Sequence, residues 1–258
     1  GLYFAIYLIK NETSKFEKIF LFFMTISTSL VILLSGERSS LFFMLLIFFI
    51  CIIFLNINLK KKLIFLSPIV ICFALVITLN NNLSNRIIFD KNNQIDLKSE
   101  NIIIFTPQHT AHYRTAINIF IDQPFIGQGP KTFRKLCKNS KYNEVVNKDG
   151  NSYQGCSSHP HNTYIQLLAE TGIIGTLLFS LGFFHIFINF IKHFSYLFFK
   201  KGKKLNNYQV IINATALIVF WPFSPSGNFF NNWMLIMYAL PLSFYVNEYF
   251  KYKNLNKN

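Results

Sequence analysis

Six stretches of this chain are almost wholly apolar: residues 19–34, 41–59, 63–79, 163–191, 208–223 and 229–247. A helix needs about 20 mostly apolar residues to cross the hydrocarbon core of a bilayer. Each stretch reaches or approaches that length once flanking residues are added. One globular core could not hide them all: of 258 residues, 52% are hydrophobic, 17% aromatic and 14% charged, against about 25% charged in a soluble domain. The apolar side chains therefore face lipid, and the expected fold class is an all-α polytopic membrane protein. A further apolar run, residues 1–9, is too short to span and is read as the end of a truncated helix with others upstream. It lacks the basic flank and small-residue cleavage site of a signal peptide.

Residues 80–162 form one long polar segment whose backbone groups and charges could not be satisfied in hydrocarbon. The chain thus divides into membrane helices over 1–79, a large extramembrane loop over 80–162, and C-terminal membrane helices with a tail over 163–258. The net charge of +14 arises from 25 Lys and Arg against 11 Asp and Glu, and its placement decides its meaning. Connections 10–18, 60–62 and 192–204 and the tail 251–258 hold fourteen basic residues, whereas the turns 35–40 and 224–228 hold one between them, Arg38. Short basic connections stay cytoplasmic, while long loops are exempt from the rule. The long loop and the two charge-poor turns are therefore assigned to the opposite face. Residues 131–148, although basic, lack the regular aromatic interleaving of a nucleic-acid platform. The partners expected are membrane lipids, with no nucleic acid.

Cys137 and Cys156 lie in the external loop, where an oxidising compartment lets them pair. Such a disulfide closes a loop of about 20 residues and contributes on the order of 3 kcal/mol by the chain-entropy account. Cys51 and Cys72 fall inside apolar stretches and read as small fillers.

The loop runs at its C-terminal end through the turn formers Asn147, Asp149, Gly150, Asn151, Ser152 and Gly155 into the string HPHNTYIQLLAETGIIG, residues 159–175. His159, His161 and Asn162 stand at the start of a helix, where free N–H groups and the helix dipole favour an anion. They are either an anion-handling site or interfacial caps. Arg38 is suited to forked binding of phosphate oxygens, or it pairs with Glu37 and snorkels. Arg114 begins an amphipathic helix carrying Ala116, Ile117, Phe120 and Ile121, broken by Pro124 and the Gly127/Gly129 turn and expected to lie on the membrane surface. It is either a solvated face residue or part of the same anion site. Glu170, near the start of a membrane helix, needs a partner or a wet cavity, so it orients an Arg or acts as a secondary acid. His109 and His112 stand at helical spacing, but no Asp, Glu or Cys is near in sequence to complete a metal site. His185 and His193 pack within or at the end of a span. No Walker motif, dinucleotide fingerprint, nucleophile elbow or zinc signature is present.

The string HPHNTYIQLLAETGIIG, with His161 and Gly172 separated by ten residues, resembles the signature of the bacterial O-antigen ligase and polymerase superfamily. The segment from Arg114 to DQPFIGQGPKTF and the Arg38 turn are similar to that family's pattern, over most of residues 30–180. The resemblance implies a bundle like that of the membrane glycosyltransferases called GT-C, in the inner membrane, with a large periplasmic loop containing short helices. It implies a metal-independent glycosyltransferase that needs no cofactor. A ligase moves a glycan from undecaprenyl diphosphate to the lipid A core; alternatives are a polymerase acting on a growing glycan, a protein O-glycosylating ligase, or a non-enzymatic glycolipid transporter. By the same resemblance His161 is the catalytic residue, orienting or deprotonating the acceptor hydroxyl. Arg38 and Arg114 hold the diphosphate, and His159, Asn162 and Glu170 support them.

Overall fold

The computed structural model describes residues 14–79, 105–148 and 150–255. The apolar run 1–9, residues 10–13 of the basic connection 10–18, loop residues 80–104, the turn residue Asp149 and the last three residues of the tail lie outside the described residues. The chain divides into two compact units: one of Gly1–Asp90, His185–Val219 and Pro241–Asn258, the other of Lys91–Phe184 and Phe220–Leu240. Two of the helices below run from one unit into the other.

The first unit begins with α1 (Lys15–Ser35), whose N-terminus is closed by Ser14 and Glu17, each side chain bonding the other's backbone N–H. It ends at Gly36, whose φ of 65° lets its N–H turn back to the Leu33 carbonyl. α2 (Arg38–Phe54) and α3 (Leu59–Leu79) follow. α1 packs on α3 through Leu33 and Cys72, flanked by Ile26, Leu30 and Leu41. α2 packs on α7 (Asn207–Val219), and Asn56 and Asn207 exchange two hydrogen bonds at the end of that contact. Both Cys51 and Cys72 are buried free thiols, as fillers should be. His193, also buried, accepts the Leu205 N–H, and the His185 ring meets the Tyr245 and Tyr249 rings edge-on.

The second unit contains α4 (Pro107–Asp122), the single-turn α5 (Phe133–Leu136) and an antiparallel ribbon of β1 (Val145–Lys148) and β2 (Asn151–Gln154), with Val145 opposite Gln154 and Lys148 opposite Asn151. The fold is mostly helical, but the ribbon departs from an all-α loop. α4 also departs from expectation in its buried face. It buries Ala111, Thr115, Ala116 and Ile119, while Ile117 and Ile121 are exposed. The small residues are inside because the chain just after β2 lies against them: a side chain on Gly155 would run into Thr115 Oγ1 and the Glu144 and Ala111 carbonyls. Ala116 and Ile119 join Phe133, Cys137, Tyr142 and Ala169 in the core of this unit.

α6 (Thr163–Phe199) leads out of the loop, and α8 (Asn232–Leu255) runs through Pro241. The structure thus places helices over all six apolar stretches. Among the described residues one of them, Thr163–Phe199, is both long and apolar enough to cross a membrane, with shorter apolar helices at Phe22–Ser35, Ser39–Phe54 and Asn207–Val219. α7 stops at Val219, short of the expected 223, because the chain there is diverted into a longer connection that packs on the histidine string.

Candidate functional site

α6 is broken at Gly172, whose φ of 65° and ψ of −168° are closed to residues with a β-carbon. A break in a helix strands carbonyls on one side and N–H groups on the other. Here the segment after α4 supplies both kinds of partner. Gln128 and Gly129 donate their N–H groups to the Ala169 and Glu170 carbonyls (3.1 and 2.9 Å), while Ile173 and Ile174 donate theirs to the Pro124 and Phe125 carbonyls (2.8 and 3.2 Å). Contact is backbone to backbone: a Cβ on Gly172 would collide with the Phe125 carbonyl, and one on Gly127 (φ 67°) with the Glu170 backbone. The two sequence segments singled out above, DQPFIGQG and HPHNTYIQLLAETG, are therefore halves of one interlock.

Glu170 fastens it. Its carboxylate, 1% exposed, accepts from the Lys131 and Phe133 N–H groups (3.0 and 2.9 Å) and from Gln166 Nε2 (2.9 Å). Gln166 in turn donates to Asn228 Oδ1 and accepts the Phe229 N–H. Glu170 thus holds the N-terminus of α5 and, through Gln166, the 228–229 turn. Among the described residues no arginine side chain hydrogen-bonds it, although the Arg134 charge acts on it.

The first turn of α6 is capped by Asn162, whose Oδ1 accepts the Ile165 N–H (3.0 Å) and whose Nδ2 donates to the Pro222 carbonyl (2.8 Å). Asn162 also pairs with Pro225 in an isolated bridge, and Ser226 donates its N–H to the His161 carbonyl. Thr163 Oγ1 bonds both Ser226 Oγ and Tyr238 OH at 2.8 Å. The connection 220–231 is thus laid along the histidine string, a role its bland sequence did not announce.

Between these clamps His161 takes φ 61°, the left-handed region that a residue with a β-carbon enters only when its surroundings impose it. That turn brings its ring among three other imidazoles, with centroid separations of 4.2 Å to His159, 5.2 Å to His112 and 5.9 Å to His109. Hydrogen bonds engage two of them. His112 Nδ1 donates to the Gly155 carbonyl at 3.0 Å, with its Nε2 3.0 Å from Gln108 Nε2. His159 Nε2 donates to the Ser226 carbonyl at 3.0 Å, with its Nδ1 2.8 Å from Ser158 Oγ. His109 Nδ1 lies 3.0 Å from Thr106 Oγ1, the cap of α4. The His161 ring has no hydrogen-bond partner among the described residues. Its pKa is lowered to about 4, first by burial and then by the neighbouring His159, His112 and His109 rings. Burial also lowers His109 and His159. At neutral pH His161 is a neutral ring with an unspent lone pair.

The sequence-selected residues are thus sorted. His161, His159 and Asn162 come together, with Glu170 in the supporting lattice. Cys137 and Cys156 are joined in a disulfide, Cα atoms 4.9 Å apart, tying the end of α5 to the approach to His159. Arg114 is exposed and leaves α4 about 170° round from the mean direction of His109 and His112, at 3.6 residues per turn. Arg38 opens α2 in the first unit. Sequence reasoning passed over Ser226 and Asn228, and weighed His109 and His112 only as a metal pair. The i, i+3 spacing of His109 and His112 was a usable signal, though it marks a shared helix face pointed at His161. Among the described residues no three His, Cys, Asp or Glu groups are arranged to hold a metal ion.

Comparison with curated proteins and with solved structures gives no match. The family model described as O-antigen ligase matches residues 21–180, more than half of the chain, including both halves of the interlock and the histidine string. Proteins of that family are glycosyltransferase-like enzymes of the inner membrane that act in O-antigen processing. The chain therefore belongs to the O-antigen ligase family.

Proposed function

We propose that this protein transfers a glycan from undecaprenyl diphosphate to an acceptor on the periplasmic face of the inner membrane, acting as a ligase on the lipid A core, with a polymerase acting on a growing glycan as the second reading. The observation that carries the reading is the His161 ring: neutral, without a hydrogen-bond partner among the described residues, and aimed by strained backbone into a cluster whose other rings are engaged.

Glycan transfer from a diphosphate needs a group to take the acceptor hydroxyl's proton as the C–O bond to the diphosphate breaks. A neutral imidazole does this, and proton acceptance improves as its pKa approaches the working pH. By itself the His161 ring is a weak base because burial and three imidazoles oppose its charge. A diphosphate anion beside it raises the pKa, since an opposite charge within about 4–6 Å favours the charged form. Proton acceptance is thereby coupled to donor binding. The proton stays on His161 until product release, and the diphosphate leaves as an anion on its lipid. The family resemblance assigns Arg38 and Arg114 to hold that anion; Arg114 leaves α4 on the face away from His109 and His112, so its part in the site stands on the resemblance alone and is decided by the Arg114→Ala variant. His159 and Asn162 keep the string in register. No residue in this scheme calls for a metal or cofactor.

The fold is read as a GT-C-like polytopic bundle, with 80–162 outside and the connections 10–18, 60–62 and 192–204 inside. Transfer in cells lacking the native gene tests the mechanism: His161→Ala, Arg38→Ala and Arg114→Ala should each lose at least about 100-fold in transfer, the usual scale for a general base or a charge-stabilising donor. Retained transfer by His161→Ala defeats the mechanism; by Arg114→Ala alone, it removes Arg114 from the site. Whether label reaches lipid A core, a lengthening glycan or a protein decides among ligase, polymerase and protein ligase.

A further inference from the structure

From Ile173 to Phe184 every exposed residue of α6 is apolar: Ile173, Ile174, Leu177, Leu178, Leu181 and Phe184. The turn bonded to that break continues the same surface. Phe125 and Ile126 are 68% and 69% exposed, and Ile121, on the last turn of α4, is 64% exposed. Six residues further on, the character reverses. Lys131, Arg134, Lys135 and Lys138 are all exposed. The ion pair of this stretch, Lys141 with Asp122, uses none of the four, and Glu170, on which the Arg134 charge acts, hydrogen-bonds the Lys131 and Phe133 N–H groups and none of the four side chains.

The interlock orders these two groups along α6. Phe125 is bonded at the level of Ile174, and Lys131 at the level of Glu170. The Gly172 break lies between the two levels: the turn meets the segment that continues into the apolar helix, and the cations adjoin the segment before the break. From the apolar part of α6 outward, the order is apolar side chains and then cations, which is the order of acyl chains and phosphates in a leaflet.

We propose that residues 121–138 seat the loop on an anionic phospholipid leaflet, with Ile121, Phe125 and Ile126 in the acyl region and Lys131, Arg134, Lys135 and Lys138 on the lipid phosphates. The proposal rests on α6 spanning the membrane and is independent of any transfer activity. Continuity of the exposed apolar surface of α6 with the turn selects lipid as the occupant, and the adjoining cations select an anionic leaflet.

The test uses the full chain reconstituted in bilayer discs of phosphatidylcholine alone or mixed equally with phosphatidylglycerol. Single nitroxide labels go on Ile126→Cys, Leu181→Cys and Asn139→Cys in a Cys51→Ala/Cys72→Ala background. Collisions with oxygen report lipid, and collisions with a water-soluble nickel chelate report water. We expect the 126 label to lose nickel collisions and gain oxygen collisions, as the 181 label does and the 139 label does not. Charge reversal at 131, 134, 135 and 138 should make the 126 label shallower in the anionic discs and leave it unchanged in phosphatidylcholine. A water-exposed 126 label beside a lipid-exposed 181 label overturns the proposal, as does a 126 label shielded from both reagents, which would mean protein cover. No effect of charge reversal in anionic discs overturns the cationic half. A water-exposed 181 label would instead refute the spanning of α6 on which the proposal rests.

Discussion

His161 pays for its position with backbone strain: a left-handed conformation costs a residue with a β-carbon on the order of 1 kcal/mol or more. Two deletions of the ring should therefore differ. His161→Ala keeps the steric cost and His161→Gly removes it, so the glycine variant should unfold about 1 kcal/mol later than the alanine variant, with transfer lost in both; equal thermal stability would show that the left-handed turn is absent. The ring also makes the loop sensitive to acid. Its pKa falls from the ordinary 6.5 to about 4 on folding, so between those values the unfolded chain takes up a proton that the folded chain refuses. Stability should be full above about pH 6.5 and fall as the pH drops through that window. His161→Asn should flatten part of the fall, the remainder belonging to His109 and His159, whose rings are shifted the same way; denaturation midpoints measured across pH 4 to 7 check this. Glu170→Gln sets an amide NH2 against the Lys131 or Phe133 N–H and should cost about 1–3 kcal/mol, the scale of an unsatisfied buried polar group. A loss confined to activity, with no loss of stability, would make Glu170 chemical and not structural.

At the scale of elements, the break in α6 and the 123–129 turn exist only together. Gly172→Ala and Gly127→Ala each force a β-carbon into the opposing backbone at positive φ, and each should destabilise the loop by about 1–3 kcal/mol. Because both disrupt one contact, the double variant should cost clearly less than the sum; additive losses would argue against the interlock. Much of this was legible. The six apolar stretches gave the helices, Pro124 with Gly127 and Gly129 gave the end of α4, and the spacing from His161 to Gly172 marked the segment that matters. The pairing of the two segments was not legible, because backbone hydrogen bonds leave no side-chain pattern. The buried face of α4 was misread for a related reason: Ala111 and Thr115 are small so that Gly155 can approach, and smallness does not register in a search for large apolar residues. The 220–231 connection escaped notice because it meets Asn162 and His161 largely through its own main-chain groups.

Over the whole molecule, the proposed orientation follows from charge, and among the described residues the Cys137–Cys156 bond ties the loop across a separation of 19 residues. On the proposed topology a cysteine at Asn139 is modified in intact cells by a membrane-impermeant maleimide and one at Lys201 is not; the reverse pattern would invert the chain. The Cys137–Cys156 bond spans a separation of 19 residues, and its loss through Cys137→Ser and Cys156→Ser should lower stability by about 3 kcal/mol, read as an earlier melting transition that reductant reproduces in the parent chain. The same bond imposes a sequence in time. Thiols pair outside the reducing cytoplasm, so a newly inserted chain has its helices in place while the strap leading to His159 is still open. With the loop outside, the protein matures in two stages, insertion and then oxidation. A cell poor in periplasmic thiol oxidant would accumulate correctly inserted chains that have not yet become enzymes.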